Sequence, residues 1–166
     1  RLPRGRDRGI AEAFGPWQSS TSFMASLLSH LLHAQAFTLP NGGQNVRDWL
    51  PIRDLAAGLL LAAEKAPAQS HVDFSVGAER RDIDVAESVC ALLDERAPRA
   101  TPWMDLIQTE DEGEAAMLGP MLDPADAEAL LGWEPQGFHA GLDRLLSWAL
   151  ASRAAAQARY LPVAAE

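Results

Sequence analysis

The chain has 166 residues, 48% of them hydrophobic, and a formal net charge of −9. That length and apolar content support one globular domain with a real core and exclude disorder as its resting condition. The charge excludes nonspecific affinity for nucleic acid and leaves an anionic ligand only a local basic pocket.

Lys65 is the only lysine and Cys90 the only cysteine. A lysine general base therefore has one candidate, and neither an internal disulfide nor a cysteine-based metal site is expected. No apolar run reaches the roughly 18 residues of a membrane span. The composition is that of a cytoplasmic protein. The first nine residues, "RLPRGRDRG", lack the apolar stretch of a secretion signal and read as an irregular segment, in a chain read as a fragment or a processed piece.

From residue 10 onward the pattern becomes periodic. "IAEAF" runs into the breaker pair Gly15-Pro16. A helix is predicted from Ser20 or Thr21 as N-cap, with Phe23, Leu27, Leu28 and Leu31 at helical spacing. "AFTLP" is a short strand stopped by Pro40, and "NGG" turns the chain. "VRDWLPI" is extended and broken by Pro51, which favours a loop or an edge. Asp54 is the expected cap of "LAAGLLLAAEKA", a helix so apolar that burial on most sides is predicted. "HVDFSV" alternates as a strand. Asp82 or Asp84 should cap the next helix, whose apolar face is Val85, Val89, Leu92 and Leu93. "WMDLIQT" reads as a strand and "EDEGE" as a solvated acidic turn. A helix starts at Asp123-Pro124 and stops at Gly132, and a last one starts near Gly137. Residues 151–166 read as a fraying helix end and tail. The order is a mixture of helices and short strands, an α/β class, with no strand leading into a glycine-rich phosphate loop.

Chemistry-bearing residues are sparse. His30 and His33 lie three apart on one helix without a third ligand, so a metal site is not expected. Cys90 sits on an apolar helix face as a small hydrophobe. There is no nucleophile elbow, CxxC or HExxH. Trp133, between a helix-ending glycine and Pro135, reads as a plug at the edge of a core. The one suggestive stretch is "NGGQNVRDWLPIRDLAAG", Asn41 to Gly58. There Trp49 stands between two Arg-Asp pairs on a loop preceded by glycines. Arginine beside an aromatic can hold a phosphate and a flat ring together; a structural Arg-Asp ion pair is the plainer alternative.

Five segments in order resemble one family. "AFGPWQ" is similar to an aromatic-Gly-Pro turn, and "NGGQNVRDWLPIRDLAAGLLLA" to a Gly-x-x-x-Arg-Asp-aromatic segment. "VDFSVGAE" resembles a Phe-Asn-Val-Gly strand end. "LDPADAEALLGWEP" resembles a Leu-Gly-Trp-x-Pro ending, with the Gly-Leu helix of "GLDRLLSWAL" after it. Together, over residues 10–150, they look like the substrate-binding, C-terminal part of the extended short-chain dehydrogenase/reductases, the NAD-dependent epimerase/dehydratases of nucleotide sugars. "RDWL" is similar to the dTDP-glucose dehydratase branch, "GEAAMLGPMLD" to the CDP-glucose one, and "AFGPWQ" with "LPN…RDW" to less-studied sugar-modifying members, and the resemblance does not choose between them.

The resemblance implies a mixed helix/short-strand part of a Rossmann-type enzyme whose nucleotide-binding half, with NAD or NADP and a Tyr-x-x-x-Lys catalytic pair, lies outside this chain. Tyr160, the sole tyrosine, is not followed by such a lysine, so no catalytic residue is assigned. It further implies a nucleotide-sugar partner, with Arg47 on the diphosphate, Trp49 shaping the wall and Ser75 near the nucleotide. Gly15 and Pro16 would form the turn beside the nicotinamide. Family dimers form through helices of the other half, so a homodimer is an open expectation. Departures are Ser75 in place of asparagine, Glu12 at a substrate-binding asparagine, Arg8 displaced by one, and no second diphosphate arginine. They leave a second reading, a non-catalytic remnant or stand-alone binding domain of the same family.

Overall fold

The computed structural model describes residues 10–68, 70–110, 116–119 and 122–160, with 155–160 as backbone only. The expectations for residues 1–9, most of the acidic turn and the tail fall outside them. Strand β1 (Glu12–Phe14) leads to helix α1 (Phe23–Leu32). Strand β2 (Phe37–Leu39) follows, then a 3-10 turn (Pro40–Gly43), β3 (Val46–Pro51) and α2 (Ile52–Lys65). After an irregular stretch come β4 (Glu79–Arg81), α3 (Asp82–Arg96), a 3-10 turn (Trp103–Leu106) and β5 (Ile107–Thr109). Helices α4 (Ala125–Leu131) and α5 (Phe138–Tyr160) complete the order.

Strand β3 lies in the middle of a three-stranded sheet, parallel to β1 and antiparallel to β4; β2 and β5 form a separate parallel pair. The expected loop or edge is therefore a central strand, but a staggered one. Trp49, Leu50 and Pro51 pair with β1, whereas Val46, Arg47 and Asp48 pair with β4. On its β4 side Pro51 has no neighbour to serve, so the missing N–H costs no ladder bond there.

Side chains alternate across a strand, and here the alternation separates two cores. Phe14 and Trp49 face a cluster built with Met24, Leu27 and Leu31 of α1, Val85, Val89 and Leu93 of α3, and Leu142, Leu145 and Leu146 of α5. Leu50 faces the other way, into a smaller cluster with Leu55, Phe74, Leu122, Ala127, Leu131 and Trp133. Each fully buried large apolar side chain contributes about 1.5–3 kcal/mol against exposure.

The helices form for the reasons their sequences give, with adjustments. The cap of α1 is Ser22, whose hydroxyl accepts from the Ala25 N–H at 3.3 Å, and not Ser20 or Thr21. Those two belong to the preceding turn, closed by Ser22 N–H to the Ser19 carbonyl at 3.0 Å. Gly132 ends α4 in the left-handed region, at φ 66°, as its position predicts. Trp133 is 3% exposed and plugs the smaller core as expected, edge-on to Phe74 and donating to the Asp54 carbonyl at 2.9 Å.

Four expectations need correction. Helix α2 is not buried on most sides: Leu55 and Gly58 face the smaller core, while Ile52, Leu59 and Leu60 are exposed. Asp54 does not cap it. Pro51 holds that position, and Asp54 instead accepts the Gly137 N–H at 3.2 Å, tying α2 to the start of α5. "HVDFSV" makes no ladder; a single bridge joins Phe74 to Ile10, with Ala11 N–H to the Phe74 carbonyl at 3.0 Å. In "WMDLIQT" the first half is a 3-10 turn, because the Trp103 N–H is drawn to Asp94 Oδ1 at 3.1 Å and its ring N–H to the Ala97 carbonyl at 3.0 Å.

Candidate functional site

Arg47 lies on the larger-core face of the sheet, between the register partners Glu12–Trp49 on one side and Arg80 on the other. Its Nε donates to Asp82 Oδ1 at 3.0 Å, and its Nη1 lies 3.9 Å from Glu12 Oε2. The guanidinium sits 5.3 Å from the Phe23 ring centroid and 5.7 Å from that of Trp49. The Arg47 side chain is 16% exposed and the Asp82 side chain not at all.

Asp82 reaches this place because β4 runs directly into α3, making it the first residue of the helix. Its backbone N–H donates to the Asn45 carbonyl at 2.8 Å, which pins the start of α3 against the start of β3. The sequence reading of Asp82 or Asp84 as the α3 cap is thereby corrected. Arg81 is the capping residue, and Asp84 closes the cap, accepting the Arg81 N–H at 3.3 Å and its guanidinium at 2.6 Å. Burial pushes the Asp82 carboxyl above the usual carboxylate range; the Arg47 hydrogen bond and charge oppose that, and the nearby Glu12 charge adds to it. Asp84, half-buried, moves the other way, because the Arg81 hydrogen bond favours its ionised form.

Several polar atoms on this face are held but unsatisfied. Asp82 Oδ2, Trp49 Nε1 and Arg80 Nε are buried without a hydrogen-bond partner. The Arg80 guanidinium stacks 4.6 Å from the Phe138 centroid. Two donors and one acceptor thus await partners around an arginine, the kind of deficit that a native interior rarely leaves without a use.

The other candidate residues are distributed differently. Trp49 is 1% exposed and edge-on to Phe14 at 5.9 Å, so it backs the Arg47 site from within. Ser75 is fully buried on the opposite side of β3. Its hydroxyl bonds Asp48 Oδ2 and lies 3.2 Å from the Leu122 carbonyl, while Asp48 also accepts the Gly77 N–H at 3.1 Å. Ser75 and Arg47 therefore do not share a site.

Gly15 and Pro16 line a groove of about 330 Å³ with Trp17, Pro51, Ile52, Arg53, Gly141 and Arg144, at the Phe14–Pro51 end of the sheet. A Cβ on Gly15 would sit 2.2 Å from Ile52 Cγ2, so the turn approaches α2 as closely as glycine permits. The groove is apolar with two guanidiniums, which suits one edge of a flat ring and is too small for a whole dinucleotide.

The remaining reactive groups are committed to structure. The Nδ1 atoms of His30 and His33 donate to the Ser26 and Ser29 carbonyls, at 2.8 Å each. Burial pushes the Cys90 thiol up to about 12, which keeps it protonated and unreactive. Among the described residues no group of His, Cys, Asp or Glu has the arrangement of a metal site, and no helix is long and apolar enough to cross a membrane.

Sequence reasoning singled out Arg47 and noted Glu12, and did not identify Asp82, Arg80 and Phe23 as the groups around Arg47. The one available signal was "ERRDID", a charged run entering a helix, which by itself reads as solvated.

Comparison with known proteins places this geometry in context. Residues 10–77 match the profile of the NAD dependent epimerase/dehydratase family. A probable dTDP-glucose 4,6-dehydratase of Sinorhizobium fredii is 30% identical over 141 residues, covering 82% of this chain and 39% of that protein. A dTDP-glucose 4,6-dehydratase of Bacillus anthracis, solved in complex with NAD, superposes with a TM-score of 0.71 at 18% identity, over 87% of this chain and 44% of the other. A UDP-glucuronic acid 4-epimerase of Bacillus cereus, solved with UDP-glucuronic acid and NAD, gives 0.67 at 16% identity, over 86% and 44%. The chain spans about two fifths of the length of the curated relatives it matches. With its mixed α/β fold and these segments in order, the chain matches the NAD dependent epimerase/dehydratase family over residues 10–77, and over most of its length it is similar to a portion of dTDP-glucose 4,6-dehydratases.

Proposed function

We propose that this chain forms the substrate-binding, C-terminal part of an NAD(P)-dependent nucleotide-sugar epimerase or dehydratase, with Arg47 contacting the nucleotide diphosphate. The observation that carries this reading is the guanidinium of Arg47. It is oriented by the buried Asp82 and flanked by Phe23 and Trp49, beside unsatisfied N–H donors on Trp49 and Arg80. A pre-oriented arginine forms charge-assisted hydrogen bonds to phosphate at little entropic cost.

In this reading Gly15 and Pro16 give the nicotinamide one wall of its site, and the remainder of the cofactor is held by residues outside this chain. NAD(P), when bound, supplies the hydride chemistry; this chain's part is to hold and orient the sugar nucleotide. Trp49 acts from behind the guanidinium. Ser75 would act on the nucleotide side only indirectly, through Asp48 and the Leu122 backbone.

The test is calorimetric titration of the full-length protein with UDP-, dTDP- and CDP-sugars, native against Arg47→Ala. We expect Arg47→Ala to weaken the nucleotide sugar that binds by about tenfold or more, in keeping with about 1.5–3 kcal/mol for a hydrogen bond to a charged group. Equal affinities would remove Arg47 from the phosphate.

A second reading, a non-catalytic binding module on the same fold, is favoured by one observation. Glu12 and Asp82 already offset the Arg47 charge. Formation of reduced nicotinamide on mixing full-length protein with cofactor and nucleotide sugars would reject that module.

A further inference from the structure

Four charged side chains share one face of the sheet: Glu12 on β1, Arg47 on β3, Arg80 on β4 and Asp82 at the start of α3. Their formal charges cancel. The guanidinium closest to being an anion site is held by a carboxylate with no exposed surface, and a second carboxylate stands 3.9 Å from its Nη1. An approaching phosphate meets the positive charge of Arg47 already engaged, and two negative charges beside it. Like charges this close to the site oppose the approach of an anion, the more so the more negative it is.

The Asp82 carboxylate is also only half used. Oδ1 takes the Arg47 Nε–H, while Oδ2 has no partner. If its role were only to pack the start of α3, an uncharged residue would do so without the cost of burying a charge. The capping that an aspartate usually provides is supplied by Asp84.

We propose that Asp82 is an internal counter-anion that holds Arg47 in place and sets its affinity for phosphate, in competition with the ligand, with Glu12 as a weaker second contributor. The proposal rests on the reading of Arg47 as the phosphate contact. It makes Asp82 a specificity-determining residue: it lowers affinity for ligands in proportion to their negative charge, and leaves an acceptor, Oδ2, for a ligand hydroxyl. The site then favours a nucleotide sugar, whose diphosphate is esterified at both ends, over the more highly charged free nucleoside diphosphate.

The experiment is titration of full-length native protein, Asp82→Asn and Glu12→Gln with UDP, dTDP and CDP, with the corresponding nucleotide sugars, and with uridine, thymidine and cytidine as uncharged references. Asparagine keeps an oxygen for the Arg47 Nε–H and removes the charge. Asp82→Asn is expected to tighten nucleoside diphosphate binding about tenfold or more, to tighten the nucleotide sugar less, and to leave the nucleoside unchanged. Glu12→Gln should shift the same three ligands in the same order by a smaller factor, and it carries the test if Asp82→Asn does not fold. Native binding with no tightening in either folded variant overturns the counter-anion role and leaves Arg47 as phosphate contact. Absence of nucleotide binding in all three proteins overturns both.

Discussion

The two sides of the three-stranded sheet treat buried polar groups in different ways. On the smaller-core side they are tied to one another and to backbone. Ser75 bonds Asp48, Asp48 accepts Gly77, Trp133 donates to Asp54, and Asp54 accepts Gly137. Each bond joins segments far apart in sequence, and together they fasten α2, β3 and the α4–α5 connection. On the larger-core side the packing is more extensive, yet Asp82, Trp49 and Arg80 each keep an unsatisfied atom around Arg47. The first side spends its polarity on architecture; the second keeps polarity in reserve beside a cation. Burial alone does not separate these two uses; grouping does, because the unsatisfied atoms of the larger-core side gather around Arg47, whereas Asp48 keeps one unpaired oxygen, Oδ1, while its other oxygen is held by Ser75 and Gly77.

The contrast places the largest stability losses on the tied side. Trp133→Ala should cost about 3–5 kcal/mol, measured by urea denaturation, through lost packing on Phe74 and the lost bond to Asp54. A cost near that of a surface substitution would mean the smaller core is not held at Trp133. Ser75→Ala should cost about 1–3 kcal/mol, since it removes a donor from the buried Asp48 carboxylate. An unchanged unfolding midpoint would break the claim that this network is structural.

The smallest effect sharpens the contrast within a single helix turn. Asp82 has its folded value raised, so the stability it contributes is present at low pH and lost as pH rises through that folded value. Asp84 has its folded value lowered, so its contribution is present at higher pH and lost as pH falls through that value. Relative to native protein, Asp82→Asn should therefore lose stability on acidification while Asp84→Asn regains it. Denaturation midpoints across the acidic range would show the two differences diverging; parallel curves would place both carboxylates in the same environment.

Much of this was legible in the sequence, for reasons that also mark where reading stops. The extended character of "VRDW" and the closeness of Arg47 to Trp49 could be read locally, but that the segment is a central strand with both side chains on one face could not, because its partners β1 and β4 lie far off in sequence. The caps and stops of α4 and the apolar spacing of α1 and α3 are local physics. Strand β4 was not legible, because Glu79, Arg80 and Arg81 carry no apolar alternation; the first half of β3 makes them a strand. The exposure of α2 was misjudged because its leucines and alanines surround the whole helix, and the sequence does not state which face meets a neighbour. Asp82 lies 35 positions from Arg47. Nothing local distinguishes it from Asp84, and only the turn from β4 into α3 sends one inward and the other to solvent.

The tight approach of Gly15 to Ile52 has a historical consequence. With a Cβ at position 15 falling 2.2 Å from the Ile52 side chain, position 15 cannot gain a side chain while Ile52 stays. A lineage that acquires a side chain at 15 must first, or at the same time, shrink residue 52. Across descendants of this protein the two positions should therefore be inherited as a matched pair, although 36 residues of chain between them are free to diverge at their own pace.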